Sequence, residues 1–148
     1  MLRRDRTMSG KDAPRVGSCR CKDIRFEVAG QPVLVEYCHC RSCRHSAGAP
    51  LMAWAGFERD KMSLIGGEPT RYESSPGVIR TFCGRCGSSL TLADERFPDE
   101  VYISLASFED AETPLPEVHI WRSERLSWLE TTDDLPRYVQ FKSDGILE

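Results

Sequence analysis

Seven cysteines in three short clusters constrain this 148-residue chain more than any other feature. In chain order they are Cys19, Cys21, Cys38, Cys40, Cys43, Cys83 and Cys86, spaced as C-x-C, C-x-C-x-x-C and C-x-x-C. The first 15 residues are polar and charged, without the apolar stretch of an export signal. Closely spaced cysteines in an odd number and a reducing compartment are typical of metal ligands rather than of disulfides. We therefore expect a cytoplasmic metal protein.

Length and charge favour a single soluble domain. We expect residues 1–14 to be a flexible leader, residues 15–142 a zinc-binding domain and residues 143–148 a tail. No run approaches the roughly 20 apolar residues that a membrane helix needs, so we expect no membrane partner. With 20 basic and 23 acidic residues, the net charge of -3 disfavours a phosphate backbone. We therefore expect no nucleic-acid partner.

The hydrophobic pattern predicts an all-β fold. Apolar and polar residues alternate with a period of two, as in Ile24, Phe26 and Val28, and helical periodicity is nearly absent. The expected strands lie at 23–28, 33–37, 51–57, 71–72, 78–82, 88–92, 101–105 and 118–121. We predict a single compact domain of about eight short antiparallel strands organised around zinc sites, with at most one or two helical turns.

Two of the cysteine clusters have the spacing of half-sites. On a strand, residues i and i+2 share a face, so Cys19 and Cys21 can offer two sulfurs to one ion. Cys83 and Cys86 form the other common half, in which glycines allow a tight reversal of the chain. Together they would make a closed, structural four-thiolate zinc site. Spacing alone leaves open that the second pair joins two cysteines of the central cluster instead.

The central cluster predicts a different kind of site. Cys38, Cys40 and Cys43 supply three sulfurs, and a zinc ion with three protein ligands and an open fourth position is typical of catalysis. Alternatively, His39 or His45 closes the site and makes it a second structural centre. Because His39 lies between two ligands, strand alternation predicts that its ring points away from the metal.

Three segments resemble the glutathione-dependent formaldehyde-activating enzyme family, which also includes centromere protein V. They are Gly17–Cys21, Tyr37–Arg44 and Phe82–Leu90; His119–Trp121 and Asp133–Pro136 are similar too. The resemblance implies a structural zinc on the first and last cysteine pairs and a catalytic zinc on the central three. It also implies a mostly β fold of the kind found in a small zinc-containing Rab-exchange chaperone.

The same resemblance implies a carbon–sulfur lyase-type activity like that of S-(hydroxymethyl)glutathione synthase. Glutathione or a similar thiol would add to formaldehyde or another small aldehyde. Three thiolates leave a net charge of -1 on a zinc site, so nearby cations would help, and Arg41 and Arg44 flank the cysteines. Arg44 or Arg71 could also pair with a glutathione carboxylate through a bidentate contact. Two alternatives are a zinc-stabilised, non-catalytic binding or scaffold module, and metal storage or redox sensing through the central cysteines.

Overall fold

The part of the chain that the structure describes contains ten strands in two sheets and one α-helix. The computed structural model describes residues 13–112 and 114–148, so residues 1–12 of the predicted leader lie outside the described residues. The strands are β1 Arg15–Ser18, β2 Arg25–Val28, β3 Leu34–Cys38, β4 Met52–Glu58, β5 Met62–Gly66, β6 Thr70–Ser75, β7 Val78–Phe82, β8 Ser89–Asp94, β9 Glu100–Ser104 and β10 Val118–Ile120, and the helix is α1 Arg41–Ala47. The predicted mostly β class is confirmed.

The larger sheet contributes cysteines to both clusters. Its seven strands run in the order β10-β3-β4-β9-β8-β7-β6, and β1, β2 and β5 form the smaller sheet. The expectation of antiparallel strands throughout is wrong at one edge, where β10 pairs with β3 in parallel and His119 lies opposite Tyr37. Parallel neighbours need a long crossover, and here most of the chain separates the two strands.

The two strands that sequence reasoning missed, β1 and β5, both pair with β2. Strand β1 has four residues, and its Gly17 lies so close to Phe26 that an added Cβ would meet the ring at 2.2 Å. A glycine in so short a strand gives little β-type signal, because its value lies in the close approach that it permits. Strand β5 is mostly exposed and lacks an alternating pattern.

Two hydrophobic cores lie on opposite faces of β3. Val35 packs in the first core with Phe26, Phe57 and Ile103, whereas Cys38 packs in the second core with Trp54. This division follows from alternation, since neighbouring residues of a strand face opposite sides of the sheet. Each cysteine cluster is consequently built into a core of its own.

The last residues, which we expected to form a tail, fold back onto the domain. Tyr138 bridges Leu147, and the Arg122 Nε donates to the Glu148 Oε2 at 2.8 Å. A second contact joins the Arg125 Nη1 to the Glu148 Oε1 at 2.9 Å. None of the helices in the described part of the chain has the length and apolarity needed to span a membrane.

Candidate metal centres and the adjoining cavity

The first and last cysteine pairs meet across the smaller sheet and the large one. The Sγ atoms of Cys19, Cys21, Cys83 and Cys86 all lie within 4.8 Å of one another. Two of the separations are 3.5 Å, from Cys19 to Cys21, and 3.7 Å, from Cys21 to Cys83. A tetrahedron of zinc–sulfur bonds of about 2.3 Å has sulfur–sulfur edges of about 3.8 Å. The four thiols therefore have the spacing that a tetrahedral zinc ion requires.

A tight turn presents the first pair, which corrects the expectation of a strand. The chain leaves β1, turns through Lys22 at φ 65° and returns in β2, with the Lys22 N–H donating to the Cys19 carbonyl at 3.0 Å. Because of this turn, the Ile24 N–H donates to the Cys19 Sγ at 3.3 Å. Two sulfurs are thus placed side by side by the turn and not by strand alternation.

The second pair lies in the predicted turn between β7 and β8. The Gly87 N–H donates to the Cys83 carbonyl at 2.8 Å, and Gly87 has φ 77°, a conformation that glycine adopts without steric cost. Hydrogen bonding from the Ser88 hydroxyl and backbone lowers the pKa of Cys86 to about 5. This turn therefore favours the thiolate form that binds metal.

The three central cysteines also converge, with all Sγ atoms within 4.8 Å of one another. Cys38 ends β3, Cys40 is the N-cap of α1, and Cys43 lies in the first turn of that helix. The Cys43 N–H donates to the Cys40 Sγ at 3.3 Å, so the Cys40 sulfur takes the place of a capping oxygen. The cluster is thus held by the end of β3 and the start of α1.

Neither candidate histidine completes this cluster. Within residues 13–112 and 114–148, only the three cysteines share the site at ligand spacing. The His39 Nε2 instead lies 2.8 Å from the His119 Nδ1, on the side away from the cluster, which confirms the orientation expected from alternation. His45 is exposed on α1. The described residues therefore offer three ligands here and four at the other site.

A buried arginine compensates the charge of the central cluster. The Arg80 Nη2 donates to the Cys43 Sγ at 3.4 Å and to the Ser42 Oγ at 3.2 Å, and its Nε donates to the Ser74 Oγ at 3.0 Å. Cys38 and Cys40, followed by Arg80, hold the pKa of Cys43 well below its usual range, whereas hydrogen bonding to its neighbours raises that of Cys38. One thiolate is therefore favoured even before a metal is considered.

Two of the three arginines named from the sequence, Arg44 and Arg71, do not line the cavity beside the cysteines. Arg44 is committed to backbone carbonyls, since its Nε donates to His39 at 3.1 Å and its Nη2 to Glu124 at 3.2 Å. Arg71 is exposed on β6 and does not line the cavity beside the cysteines. Arg41 does line it, with an exposed side chain on the first residue of α1. Of the three arginines, only Arg41 lines the cavity, so only Arg41 is placed to contact a substrate carboxylate there.

A cavity of about 900 Å³ opens beside the three central cysteines and has no counterpart of that size at the four-cysteine site. The accessible surface of its walls is mostly apolar, and Trp54, Phe97, Tyr102, Trp121 and Phe141 are among the lining residues. Such a volume falls in the range of small-molecule sites. The central cluster therefore adjoins a chamber that can hold a substrate.

One carboxyl group on the cavity wall is buried. Glu36 lies on β3, two residues before Cys38, and is 7% exposed. Burial raises its pKa to about 8, with smaller contributions from the negative charges of Cys43 and Glu100. The ionised carboxylate is thus disfavoured until a cation or a hydrogen-bond donor lies beside it.

A second buried polar group, on the far side of β3, ties the cysteine segment to the C-terminal part of the chain. His119 is fully buried, and its Nε2 lies 3.0 Å from both carboxylate oxygens of Asp133, which Arg137 also contacts. Burial lowers the pKa of His39 to about 4 and that of His119 below its usual value. His119 is consequently a structural link between His39 and Asp133, and it does not line the cavity.

Sequence reasoning missed Glu36 and Arg80, although each left a signal. Leu34, Glu36 and Cys38 alternate along β3, which places Glu36 on the same face as a predicted ligand. Arg80 is the one charged residue of β7, the strand that leads into Cys83. A charged residue within an otherwise apolar strand beside a metal motif is a candidate for the site.

Comparisons with known proteins agree with this arrangement. Residues 14–124 match the family described as glutathione-dependent formaldehyde-activating enzyme. A putative glutathione-dependent formaldehyde-activating enzyme of Halomonas elongata is 34% identical over 125 residues, covering 77% of this chain and 78% of that protein. An uncharacterised lyase of Schizosaccharomyces pombe is 28% identical over 99 residues, covering 65% of this chain and 69% of that protein.

Among solved structures, a Rhodobacter sphaeroides protein shares the fold, with a TM-score of 0.56 at 20% identity over 68% of this chain and 97% of its own. At that identity the likeness concerns the fold alone. The family match spans β1 to β10 and includes all seven cysteines of both clusters. The chain therefore belongs to the glutathione-dependent formaldehyde-activating enzyme family.

Proposed function

We propose that this protein is a zinc-dependent, carbon–sulfur lyase-type enzyme that adds glutathione or a similar thiol to formaldehyde or another small aldehyde. The observation that carries the proposal is the contrast between the two clusters. One has four cysteines, whereas the other has three and adjoins a cavity of about 900 Å³. Family membership supports an enzyme, and one relative is named a lyase.

In this proposal, two zinc ions bind each chain. Cys19, Cys21, Cys83 and Cys86 would hold a structural ion, and Cys38, Cys40 and Cys43 would hold the catalytic one. When bound at the three-cysteine site, zinc supplies a position for a substrate thiol and lowers the pKa of that thiol. The free cysteines and the absence of disulfides among the described residues support a reducing, cytoplasmic location.

The chain's own residues prepare the reaction in three ways. Arg80 donates to the Cys43 Sγ and so offsets negative charge on the ligand set, which would otherwise weaken attraction for a further thiolate. The aromatic walls give the substrate an apolar surface beside the sulfurs. The exposed Arg41 and Lys142 at the cavity wall offer positive charge to a substrate carboxylate.

The proposed reaction is an addition without a leaving group. The thiolate sulfur attacks the aldehyde carbon, a carbon–sulfur bond forms, and the carbonyl π electrons move to the oxygen. That oxygen takes up one proton, equal to the proton that left the thiol, so the product is a hydroxymethyl thioether-type adduct. In the reverse direction the same steps release the aldehyde, which is the lyase reaction.

Zinc content and sulfur coordination test the proposal directly. We expect two zinc ions per chain, and we expect X-ray absorption at the zinc edge to show a rise in average sulfur coordination when glutathione is added. In parallel, formaldehyde consumption with glutathione should be faster with the enzyme than without it. Two zinc ions with unchanged coordination and no turnover would contradict the proposal and favour the non-catalytic binding module.

A second proposal concerns the fold around the four-cysteine site. We propose that the arrangement of strands around the four-cysteine site resembles that of the small zinc-containing Rab-exchange chaperone. The support is the turn-mounted pair of cysteines on each of two neighbouring sheets. A structural superposition restricted to the two sheets and the four cysteines tests this likeness.

A further inference from the structure

One carboxyl group that lines the cavity beside the three central cysteines has no hydrogen-bond or ion-pair partner among the described residues. Four carboxyl groups line the cavity, and three of them are satisfied by protein groups: Asp94 binds Arg96 through both oxygens, Glu100 accepts from the Tyr102 hydroxyl at 2.6 Å, and Glu124 accepts from the Arg41 N–H at 2.6 Å. Among the described residues, no hydrogen bond or ion pair reaches the fourth, Glu36.

Glu36 is also buried, like Asp94, but unlike Asp94 it has no arginine beside it in the described part of the chain. It is 7% exposed, and it faces Trp54 across the β3–β4 pairing. Lys142 acts on it through its charge alone, with no ion pair between the two side chains in the described structure. Because the Glu36 carboxyl lines the cavity and no described side chain pairs with it, its partner is whatever occupies the cavity.

The position of Glu36 limits what that partner can be. Glu36 and Cys38 lie on the same face of β3, about 7 Å apart along the strand, so both line one end of the cavity. A molecule that presents sulfur to the cysteine cluster therefore carries its next few atoms past Glu36. A positively charged nitrogen at that place would pair with the carboxylate in an environment of low polarity.

The wall also carries arginine side chains and an aromatic surface, which differ in what they offer a ligand. Arg96 is neutralised by Asp94 and stacks on Phe141 at 4.7 Å, and Arg80 is held by Ser74, Ser42 and Cys43. Arg96 is thus paired by the protein, whereas among the described residues the buried Arg80 Nη1 has no hydrogen-bond partner and can donate to an acceptor atom of a ligand. Trp54, Tyr102 and Trp121 add aromatic surface, which attracts cationic nitrogen.

We infer that Glu36 is a specificity-determining residue that selects thiols carrying a cationic nitrogen a few atoms from the sulfur, of which aminothiols are the simplest. The inference rests on the proposed function, since it takes this cavity as the thiol site. On this inference, small aminothiols bind the protein more tightly than uncharged thiols of equal size. In glutathione the nitrogen nearest the sulfur is a neutral amide, so that thiol satisfies Glu36 less well.

The test compares two thiols of the same shape that differ in charge. Thiocholine carries a quaternary ammonium group that cannot itself bind zinc, and 3,3-dimethylbutane-1-thiol is its neutral counterpart. Binding of each to the zinc-loaded protein is measured by titration calorimetry. We expect thiocholine to bind at least about tenfold more tightly to the wild type, and we expect Glu36→Gln to reduce this ratio to within about twofold.

A matched control removes one negative charge outside the cavity. Glu117→Gln lies at an exposed position before β10 and should keep the wild-type ratio. Circular dichroism and thermal melting establish that Glu36→Gln is folded. A wild-type ratio near one overturns the inference whether or not that variant folds.

The outcomes separate this inference from the proposed function. Equal binding of the two thiols, or a preference for thiocholine that survives Glu36→Gln, would overturn the role of Glu36 and leave the aromatic wall as the determinant. If those results accompany turnover of glutathione and formaldehyde, the proposed function stands alone. If the preference depends on Glu36 but no thiol is converted, the inference stands and the proposed function fails.

Discussion

Single residues in the central cluster serve both the metal and the fold. Cys40 offers a sulfur to the site and also caps α1 by accepting from the Cys43 N–H at 3.3 Å. Cys43 is held by that cap and by Arg80. The ligand set is therefore tied to the start of the helix, and a change at one cysteine can be designed to preserve the cap.

Replacing Cys40 by serine should separate metal binding from stability. The serine hydroxyl can still cap α1, whereas the site loses one of three thiolates. We expect zinc content to fall from two ions per chain towards one, turnover to be lost, and the melting temperature to change by less than about 4 °C. Cys86→Ser, which breaks the four-thiolate site, should instead unfold the protein. Equal destabilisation by the two changes would contradict the division into catalytic and structural sites.

Arg80 should tune the affinity of the central site as a positioning residue. Its guanidinium donates to the Cys43 Sγ, and loss of such a supporting contact typically weakens metal binding about 10- to 100-fold. We expect Arg80→Met to show this loss in a chelator competition assay, with zinc at the other site unaffected. Arg71→Met is the matched control, because Arg71 is exposed outside the cavity. An unchanged zinc affinity in Arg80→Met would exclude this role.

At the scale of elements, the pairing of β10 with β3 holds the cysteine segment against the C-terminal part of the chain. The backbone supplies one link, the His39 N–H donating to the Ile120 carbonyl at 3.1 Å. The other link is the pair of buried histidines, His39 and His119, which the exposed Asp133 carboxylate extends. Because two of these groups are neutral histidines inside the protein, this contact depends on pH.

The free energy of unfolding should fall as the pH drops below the ordinary histidine range. Burial lowers the pKa of His39 to about 4 from an unfolded value of about 6.5, so the unfolded chain binds the proton more readily. The contribution of neutral His39 to the free energy of unfolding is therefore fully present above pH 6.5. It is lost progressively as the pH falls towards 4, and the total loss is about 3 kcal/mol. Denaturant unfolding of the wild type and of His39→Gln at saturating zinc measures it. The variant should show a shallower decline over this interval, and identical slopes would refute the assignment.

Sequence pattern predicted most elements, and the exceptions have physical reasons. Strand β7 was predicted with its observed bounds, Val78–Phe82, because its residues are β-branched or aromatic and a cysteine turn follows directly. Strands β1 and β5 were missed because they pair only with β2 and carry little alternation. The parallel pairing of β10 could not be predicted, since local pattern does not record which distant strand a segment joins.

At the scale of the whole molecule, the two cysteine clusters belong to different cores and should lose metal separately. The four-cysteine site joins the two sheets, whereas the central site lies beside an open cavity. The first therefore contributes to folding, and the second is accessible to a competing ligand.

Stepwise chelation should reveal this order. We expect a chelator to remove the zinc of the central site first, with the far-ultraviolet circular dichroism spectrum unchanged. The second ion should leave only as the protein unfolds, because its binding free energy is part of the folding free energy. Metal release is followed with a colorimetric zinc indicator alongside the spectrum. Simultaneous release of both ions with unfolding would show that both sites are structural.

The sequence by itself determined the chemistry of the ligands and the class of the fold. Cysteine spacing and strand alternation are local properties, because they depend on the geometry of a few neighbouring residues. The resemblance to a known family then assigned the partners of each cysteine pair, a choice that spacing had left open. Only the tertiary structure brought Arg80 to Cys43 and placed the unpaired Glu36 in a cavity beside the cluster. These contacts depend on strands that pair across long stretches of chain, and short-range pattern carries no record of such pairing.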